Sequence, residues 1–588
     1  MSFIGRCCRA WFPSLSELRL WASPLAGCAV SGLLFRLAFP RFEYFPLAFV
    51  AMAPFLFHLP NSARKKAFWL GGLFGFCFFY TNLLWLNTLT YVNPAAPLGV
   101  LFMTLVYSVP MGLLVILVAR VWRGDGSLVR FLFVPSVWVA YEYLRAQSEW
   151  GFPWFYLGHT QAAFLPMIQI ADLAGAYGVS FVLVCVNTAL VELWLWARRR
   201  RLAASAVYPI FPIRPIAFSF ALLAATLIYG FIQASNGDES DPSRQLRVAL
   251  IQPGTPQEMK MASYDYGNRA EAERLQEALN RKYIDAMLQT RAQREAAGKP
   301  LPELYILPES AVTHPFFNWS PRHTEMVEDW SKRLGAPVFF GANRFQPPDG
   351  VDQRNERFLG EAKSFNSAWL VTPDGGLDPR AYDKMHLVPF GEYGSYMDFI
   401  PGFTEYILGI GNFTPGAGAQ RYEIRGSVFG CLICFESCFP YLVREYMSER
   451  TDWLLIITND AWYKYSSGAL RHKTQSIFRA VESRRPIVRV ASTGVSCLVD
   501  SRGRILESLP LLEGKVQTAV VDVPIADGSA RTLYMRPYGE WLSWLCLIFP
   551  SGMLLVLRLR EPRAGGATNR EPVKSPPPAR KSKKRNRG

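Results

Sequence analysis

Hydrophobic and polar positions are spread very unevenly along this chain. From Phe68 to Leu89 no residue is charged, and the same holds from Tyr91 to Ala119. A helix that crosses a bilayer needs about 20 mostly apolar residues. Stretches of that kind recur at 22–39, 43–59, 67–90, 98–119, 128–146, 165–196, 213–233 and 540–557, and they predict eight membrane spans. Pro and Arg interrupt the first two, which softens their edges. A charge at mid-membrane costs about 2.5–3.5 kcal/mol, so charge-free runs of this length fit lipid better than the core of a very apolar soluble protein.

Between residues 236 and 539 the pattern changes. Leu246 to Gln252 (LRVALIQ) is a short continuous apolar run, the mark of a buried strand. Further such runs lie at 304–310 (LYILPES), 336–341, 367–372, 428–433 and 453–458. Helical spacing is visible at 269–297, 321–334, 439–449 and 469–484. Strands alternating with helices predict an α/β domain. The expected organisation is a seven-helix membrane domain over 1–235, a water-exposed domain over 236–539, an eighth span at 540–560, and a basic tail at 561–588 whose Pro, Lys, Arg and Ser content predicts disorder.

Composition agrees with that division. The 588 residues are 50% hydrophobic but only 19% charged, against about 25% charged in a typical soluble domain. The net charge of +16 would fit nucleic-acid binding if it formed one patch. Instead it flanks the apolar runs: Arg6, Arg9 and Arg19; Arg64, Lys65 and Lys66; Arg120, Arg123 and Arg130; Arg198 to Arg201; Arg558 and Arg560. These are alternate loops, so the positive-inside rule places both termini in the cytoplasm and the 236–539 domain on the opposite side. The aromatic loop Glu149 to Gln161 falls on that outer side, either as an interfacial belt or as a wall for a lipid substrate. No nucleic-acid partner is expected. Nor is the apolar stretch after Trp21 expected to be a cleaved leader.

Ten cysteines without a spaced framework argue against a disulfide scaffold. Cys431, Cys434 and Cys438 contain a C-x-x-C, a weak metal or redox signal. On a strand, positions 431 and 434 point to opposite faces, so no metal and no cofactor is expected. The chemistry sits at strand ends, where α/β sheets place it. Glu309 closes LYILPES, Cys434 closes the apolar run before CFES, and Lys384 lies in the polar loop YDKMHLVPFGEY (382–393). A carboxylate, an ammonium and a thiol are the parts for acyl transfer through a thioester. Taken alone, the trio is a weak signal.

The motifs around the three residues carry more. LPES at Glu309, YDKMHLVPFGEY at Lys384 and CLICFES at Cys434 resemble the nitrilase, or carbon–nitrogen hydrolase, superfamily. TNDAWY (458–463), RAVESRRPIVRVASTG (479–494) and the flanking spans make the chain similar to the apolipoprotein N-acyltransferase family. The resemblance implies an αββα sandwich with Glu309 as general base, Cys434 as nucleophile and Lys384 on the oxyanion. It implies Glu392 and Glu436 as supporting acids, with Phe435, Trp462, Asn366 and His386 as further supporting or substrate-binding residues. It also implies a multi-pass enzyme of the bacterial inner membrane, monomeric, with a periplasmic catalytic domain. The acyl donor would be a phospholipid, and the acceptor the N-terminal amine of a diacylglyceryl-cysteine lipoprotein. A membrane-tethered amidase or nitrilase that uses water is the alternative, and a non-catalytic scaffold a further one. The chain departs from the family pattern at Met261, Phe435, Lys464 and Arg471, which bears on substrate recognition rather than on thioester chemistry.

Overall fold

The computed structural model describes residues 15–60, 62–202, 210–236, 244–314, 316–348, 362–393 and 413–560. The 561–588 tail, Arg6 and Arg9 lie outside the described residues.

The first part of the chain is helical: α1 (Leu15–Ala38), α2 (Arg64–Leu83), α3 (Ala96–Val121), α4 (Leu128–Arg145), α5 (Ala171–Leu202) and α6 (Ile213–Ser235). Later helices are α7 (Arg269–Ala296), α8 (Pro321–Leu334), α9 (Pro440–Tyr446), α10 (Ser467–Ser483) and α11 (Trp541–Arg560). Among the described residues five helical segments are long and apolar enough to cross a membrane: Arg64–Tyr91, Ala96–Val121, Ala171–Leu202, Ile213–Ser235 and Trp541–Arg560. The first two apolar stretches form the shorter apolar segments Ala22–Ala38 and Phe45–Leu56. The second of these is not one helix. It splits into a 3-10 turn, Phe45–Phe49, and a single α-turn, Ala53–Leu56, each opened by a proline, because proline supplies no N–H to an upstream carbonyl.

The helices pack through small residues. A Cβ on Gly112 of α3 would lie 2.8 Å from the Phe68 carbonyl oxygen of α2, so the two backbones meet closely there. Outward faces stay apolar and uncovered, as at Phe102 and Val109 of α3, Phe220 of α6 and Ile548 of α11.

The middle of the chain forms two sheets. The first runs β13-β1-β2-β3-β4-β5, with β6 also paired to β4; the second runs β12-β11-β10-β9-β8-β7. The first contains β1 (Gln245–Gln252), β2 (Leu304–Ile306), β3 (Val338–Gln346), β4 (Lys363–Thr372), β5 (Gly376–Leu377), β6 (Tyr382–Asp383) and β13 (Gln517–Pro524). The second contains β7 (Arg421–Ile424), β8 (Ser427–Ile433), β9 (Trp453–Thr458), β10 (Ile487–Ala491), β11 (Ser496–Val499) and β12 (Ile505–Leu509). Each has a parallel centre, β1-β2-β3 or β8-β9-β10, extended by antiparallel neighbours.

Side-chain alternation explains the layering. Leu246, Val248 and Leu250 of β1 share one apolar core with Cys431 and Ile433 of β8 and with their register partners Leu455 and Ile457 of β9, between the sheets. Ala249 and Ile251 point the other way, onto Leu279 and Met287 of α7 and Trp330 of α8. The second sheet is covered by α10, whose Phe478 and Val481 are fully buried. The result is the helix–sheet–sheet–helix sandwich expected from the sequence.

The helical part and the sandwich meet along a polar seam. Arg484 pairs with Asp172 at 2.6 Å, Glu482 Oε1 accepts from the Ala176 N–H at 3.2 Å, and Gln169 Nε2 donates to the Arg502 carbonyl at 2.9 Å.

Candidate active site

Glu309 lies three residues past the end of β2. The chain turns tightly there, and Gly341 on β3 makes room: a Cβ at 341 would lie 2.7 Å from the Glu309 Cα. The carboxylate is buried and held from both sides. Its Oε1 accepts from Asn366 Nδ2 at 2.7 Å, and its Oε2 accepts from the Asn459 backbone N–H at 2.7 Å. Those donors come from β4 and from the end of β9, one in each sheet.

Lys384 follows β6, and its backbone N–H bonds to the Asn366 carbonyl at 2.8 Å. The ammonium lies 2.9 Å from Glu392 Oε1 and 3.5 Å from Glu309 Oε1. Burial acts to lower the pKa of Lys384. Glu392, Glu309 and Cys434 outweigh it and hold the group above its ordinary value, so Lys384 is a fixed cation. Asn366 Nδ2 also donates to Glu392 Oε1 at 2.8 Å, and Glu392 Oε2 accepts from the Val388 N–H at 2.8 Å. The four residues therefore form one closed network.

Cys434 stands at the first position after β8, with φ at 53°. A non-glycine residue there costs about 1–3 kcal/mol and persists only when its surroundings enforce it. Here they do. The Cys434 carbonyl accepts from Ser437 Oγ at 2.9 Å and contacts His472 Nε2 at 3.0 Å. His472 Nδ1 in turn lies 2.8 Å from Asp460 Oδ1, and Arg489 binds Asp460 Oδ2 at 2.7 Å. Burial and the Glu309 charge push the Cys434 thiol well above its ordinary pKa, while Lys384 pulls the other way. The resting sulfur is a thiol, electrostatically coupled to both Glu309 and Lys384.

Glu436 is completely buried two residues beyond Cys434. It accepts from the Tyr382 hydroxyl at 2.8 Å and from the N–H groups of Ile433, Met385 and His386 at 2.6, 2.6 and 3.2 Å. It thereby ties the Lys384 loop to the Cys434 turn. Burial pushes Glu436 up to about 7 against the pull of those donors. Phe435 is buried against His386, ring centres 5.7 Å apart. Burial and Lys384 lower His386 to about 4, which keeps it neutral; its Nδ1 meets the Tyr441 hydroxyl at 2.7 Å. Trp462 lies half-buried in the 3-10 turn after β9.

The aromatic loop 149–161 reaches this region. Trp154 stacks on His472 (5.8 Å between centres) and on Trp85 (4.9 Å), and Trp150 packs on Phe390 (5.1 Å). Lys464, one of the departing residues, pairs with Glu258 at 2.7 Å and stands 3.8 Å over the Tyr91 ring, while Met261 is half-buried in the short helix Gln257–Ala262.

Sequence reasoning passed over Lys260 and the Asp460–His472–Arg489 chain. Lys260 is buried, and its Nζ donates to the Glu309 backbone carbonyl at 3.0 Å. A lysine between two methionines near the end of QPGTPQEMKM was the available signal.

A glutamate, a lysine and a cysteine gathered at strand ends of a four-layer sandwich define a nitrilase-type domain, and the family model for carbon–nitrogen hydrolase matches residues 247–528. The model for the apolipoprotein N-acyltransferase N-terminal domain matches residues 31–189. An apolipoprotein N-acyltransferase from Geobacter metallireducens is 34% identical over 88% of this chain and 92% of its own length. One from Chlorobaculum tepidum is 27% identical over 92% and 98%. The chain belongs to the apolipoprotein N-acyltransferase family. Among solved structures, a cysteine-to-alanine mutant of an amidase of the nitrilase superfamily from Nesterenkonia AN1 aligns over 52% of this chain and 99% of its own, at 16% identity and a TM-score of 0.35.

Proposed function

We propose that this membrane N-acyltransferase moves an acyl chain from a phospholipid to the N-terminal amine of a diacylglyceryl-cysteine lipoprotein, by way of a thioester on Cys434. Glu309 takes the thiol proton. The thiolate attacks the acyl ester carbonyl, and Lys384 with backbone N–H groups holds the oxyanion. The ester C–O bond breaks, and the lysophospholipid leaves with the proton from Glu309. The acceptor amine then attacks the thioester, Glu309 takes its proton, and the amide forms as the thiol is restored.

The observation that supports this reading is the Lys384 ammonium, set between the Glu309 and Glu392 carboxylates and coupled to a thiol on a strained strand end. A fixed cation beside a neutral thiol stabilises negative charge only as it develops, which is where catalysis needs it. Asn366, Glu392 and Glu436 position the trio, while Phe435, Trp462 and His386 shape the approach to it.

The placement proposed is a bacterial inner membrane with eight spans, the 236–539 domain in the periplasm and both termini in the cytoplasm. The working form proposed is a monomer. Both substrates carry acyl chains, so the site opens toward the outer leaflet beside the aromatic loop 149–161.

The test is intact-mass measurement of the purified protein with phospholipid. An adduct of acyl mass forms, hydroxylamine removes it, and an acceptor lipopeptide discharges it as an amide. Cys434→Ala forms none. An undiminished adduct in that variant would remove Cys434 from the mechanism.

A further inference from the structure

The seam between the helical part and the sandwich encloses a guanidinium without an acidic partner. Arg471 of α10 is 4% exposed. Its Nη2 donates to Asn82 Oδ1 at 2.9 Å, and the rings of Phe155 and Phe39 stand 4.9 and 5.2 Å from it. Among the described residues Nε and Nη1 have no acceptor. Arg471 lines a small cavity together with Phe39, Trp154, His159 and Gln475, and none of the lining residues is acidic.

Three further polar atoms of the lining residues are also unmatched. Among the described residues Trp154 Nε1 and His159 Nε2 have no partner, and neither has Gln475 Oε1. His159 Nδ1 faces the Gln475 amide nitrogen at 3.4 Å, so it accepts there and Nε2 carries the proton. Four unfilled nitrogen donor positions thus stand against one unfilled acceptor. Burial, with repulsion from Arg36, pulls Arg471 down to about 9, and no carboxylate acts to raise it. The group is still charged at neutral pH. A buried charge without a counter-charge is strongly unfavourable.

The geometry points to an anion site: we propose that the cavity holds one small anion, of halide size, against Arg471, Trp154 and His159. A water molecule matches this lining poorly, because it brings two donor hydrogens to a site already rich in donors. An anion only accepts, and it neutralises the guanidinium. One oxygen of a lipid phosphate has the same chemistry and is the second source. The site lies one ring away from the reaction centre, since Trp154 stacks on the His472 that holds the Cys434 carbonyl. The inference does not depend on the acyl-transfer reading.

The full-length protein, stripped of lipid in detergent, is compared in sodium bromide and in sodium gluconate at equal ionic strength. Bromide is expected to raise the unfolding temperature by about 3 °C or more, and Arg471→Gln is expected to abolish that difference. Phosphatidylglycerol added in gluconate separates the sources: restored stability in the wild type, but not in the variant, assigns the site to a lipid phosphate. Equal responses in both proteins, or no response of the wild type to either additive, overturn the proposal. Should the variant fail to fold, bromide anomalous scattering from lipid-stripped wild-type crystals decides. A peak in the cavity supports the site, and its absence overturns it.

Discussion

Two buried lysines meet Glu309, Lys384 near its carboxylate and Lys260 at its backbone carbonyl, and they behave in opposite ways. Lys384 touches two carboxylates, and its pKa rises. Lys260 touches only a backbone carbonyl; burial lowers it to about 8, with the Glu309 charge opposing. Both are nearly inaccessible to solvent. Burial is therefore common to the pair, and the partner decides which one is a permanent cation. The Lys384 side of the site is built to hold charge, and the Lys260 side to hold it only conditionally.

The hardest test of that contrast is Lys384→Met. It leaves Glu309 and Glu392 facing each other through the shared Asn366 amide. Two close buried carboxylates do not both stay ionised, so the proposed base is weakened and the proposed oxyanion partner is lost. The rate of thioester formation is expected to fall by about a thousandfold or more. Glu392→Gln keeps the shape but removes one of the two counter-charges on Lys384; a loss of roughly 10- to 100-fold in the same assay is expected.

Lys260→Met probes the conditional side. In the wild type Lys260 sheds its proton near pH 8, a positive charge behind Glu309 disappears, and proton transfer to the base becomes easier. The rate is expected to bend upward roughly threefold through that pH, and the variant's profile to lack the bend.

The smallest effect belongs to His386, which titrates near 4 when folded against 6.5 ordinarily. Between those values the unfolded chain binds the extra proton, so stability falls as pH drops from 6.5 toward 4. His386→Phe is expected to flatten that decline by about 2 °C in unfolding temperature.

Legibility followed local pattern. β1, β9 and α8 were readable because each carries an uninterrupted apolar run or a clear helical spacing. β10 to β13 were not assigned from the sequence, and the reasons are specific. Arg489 sits in the middle of β10 and is paid for by Asp460, 29 positions earlier. β12 is exposed along most of its length and so carries little apolar signal. The second apolar stretch looked like one span because hydropathy averages over the prolines that break it. Within the site, Glu309 and Cys434 were legible as polar residues closing apolar strands and Lys384 as a member of a polar loop, and the motifs around them made the trio specific. Lys260 and His472 were not, since their roles come from atoms far away in the chain.

What the sequence determined by itself is therefore what neighbouring residues can encode: which segments are apolar enough for lipid, which alternate as strand and helix, and which reactive side chains close them. Family membership follows from motifs of the same local kind. Tertiary structure decided the charge states of the two lysines, because Lys384 meets the carboxylates of Glu392 and Glu309 while Lys260 meets a backbone carbonyl. It also left Arg471 enclosed between Phe39 and Phe155 without a carboxylate. Electrostatic free energy depends on distance through space and on the exclusion of water, and neither quantity is written along the chain.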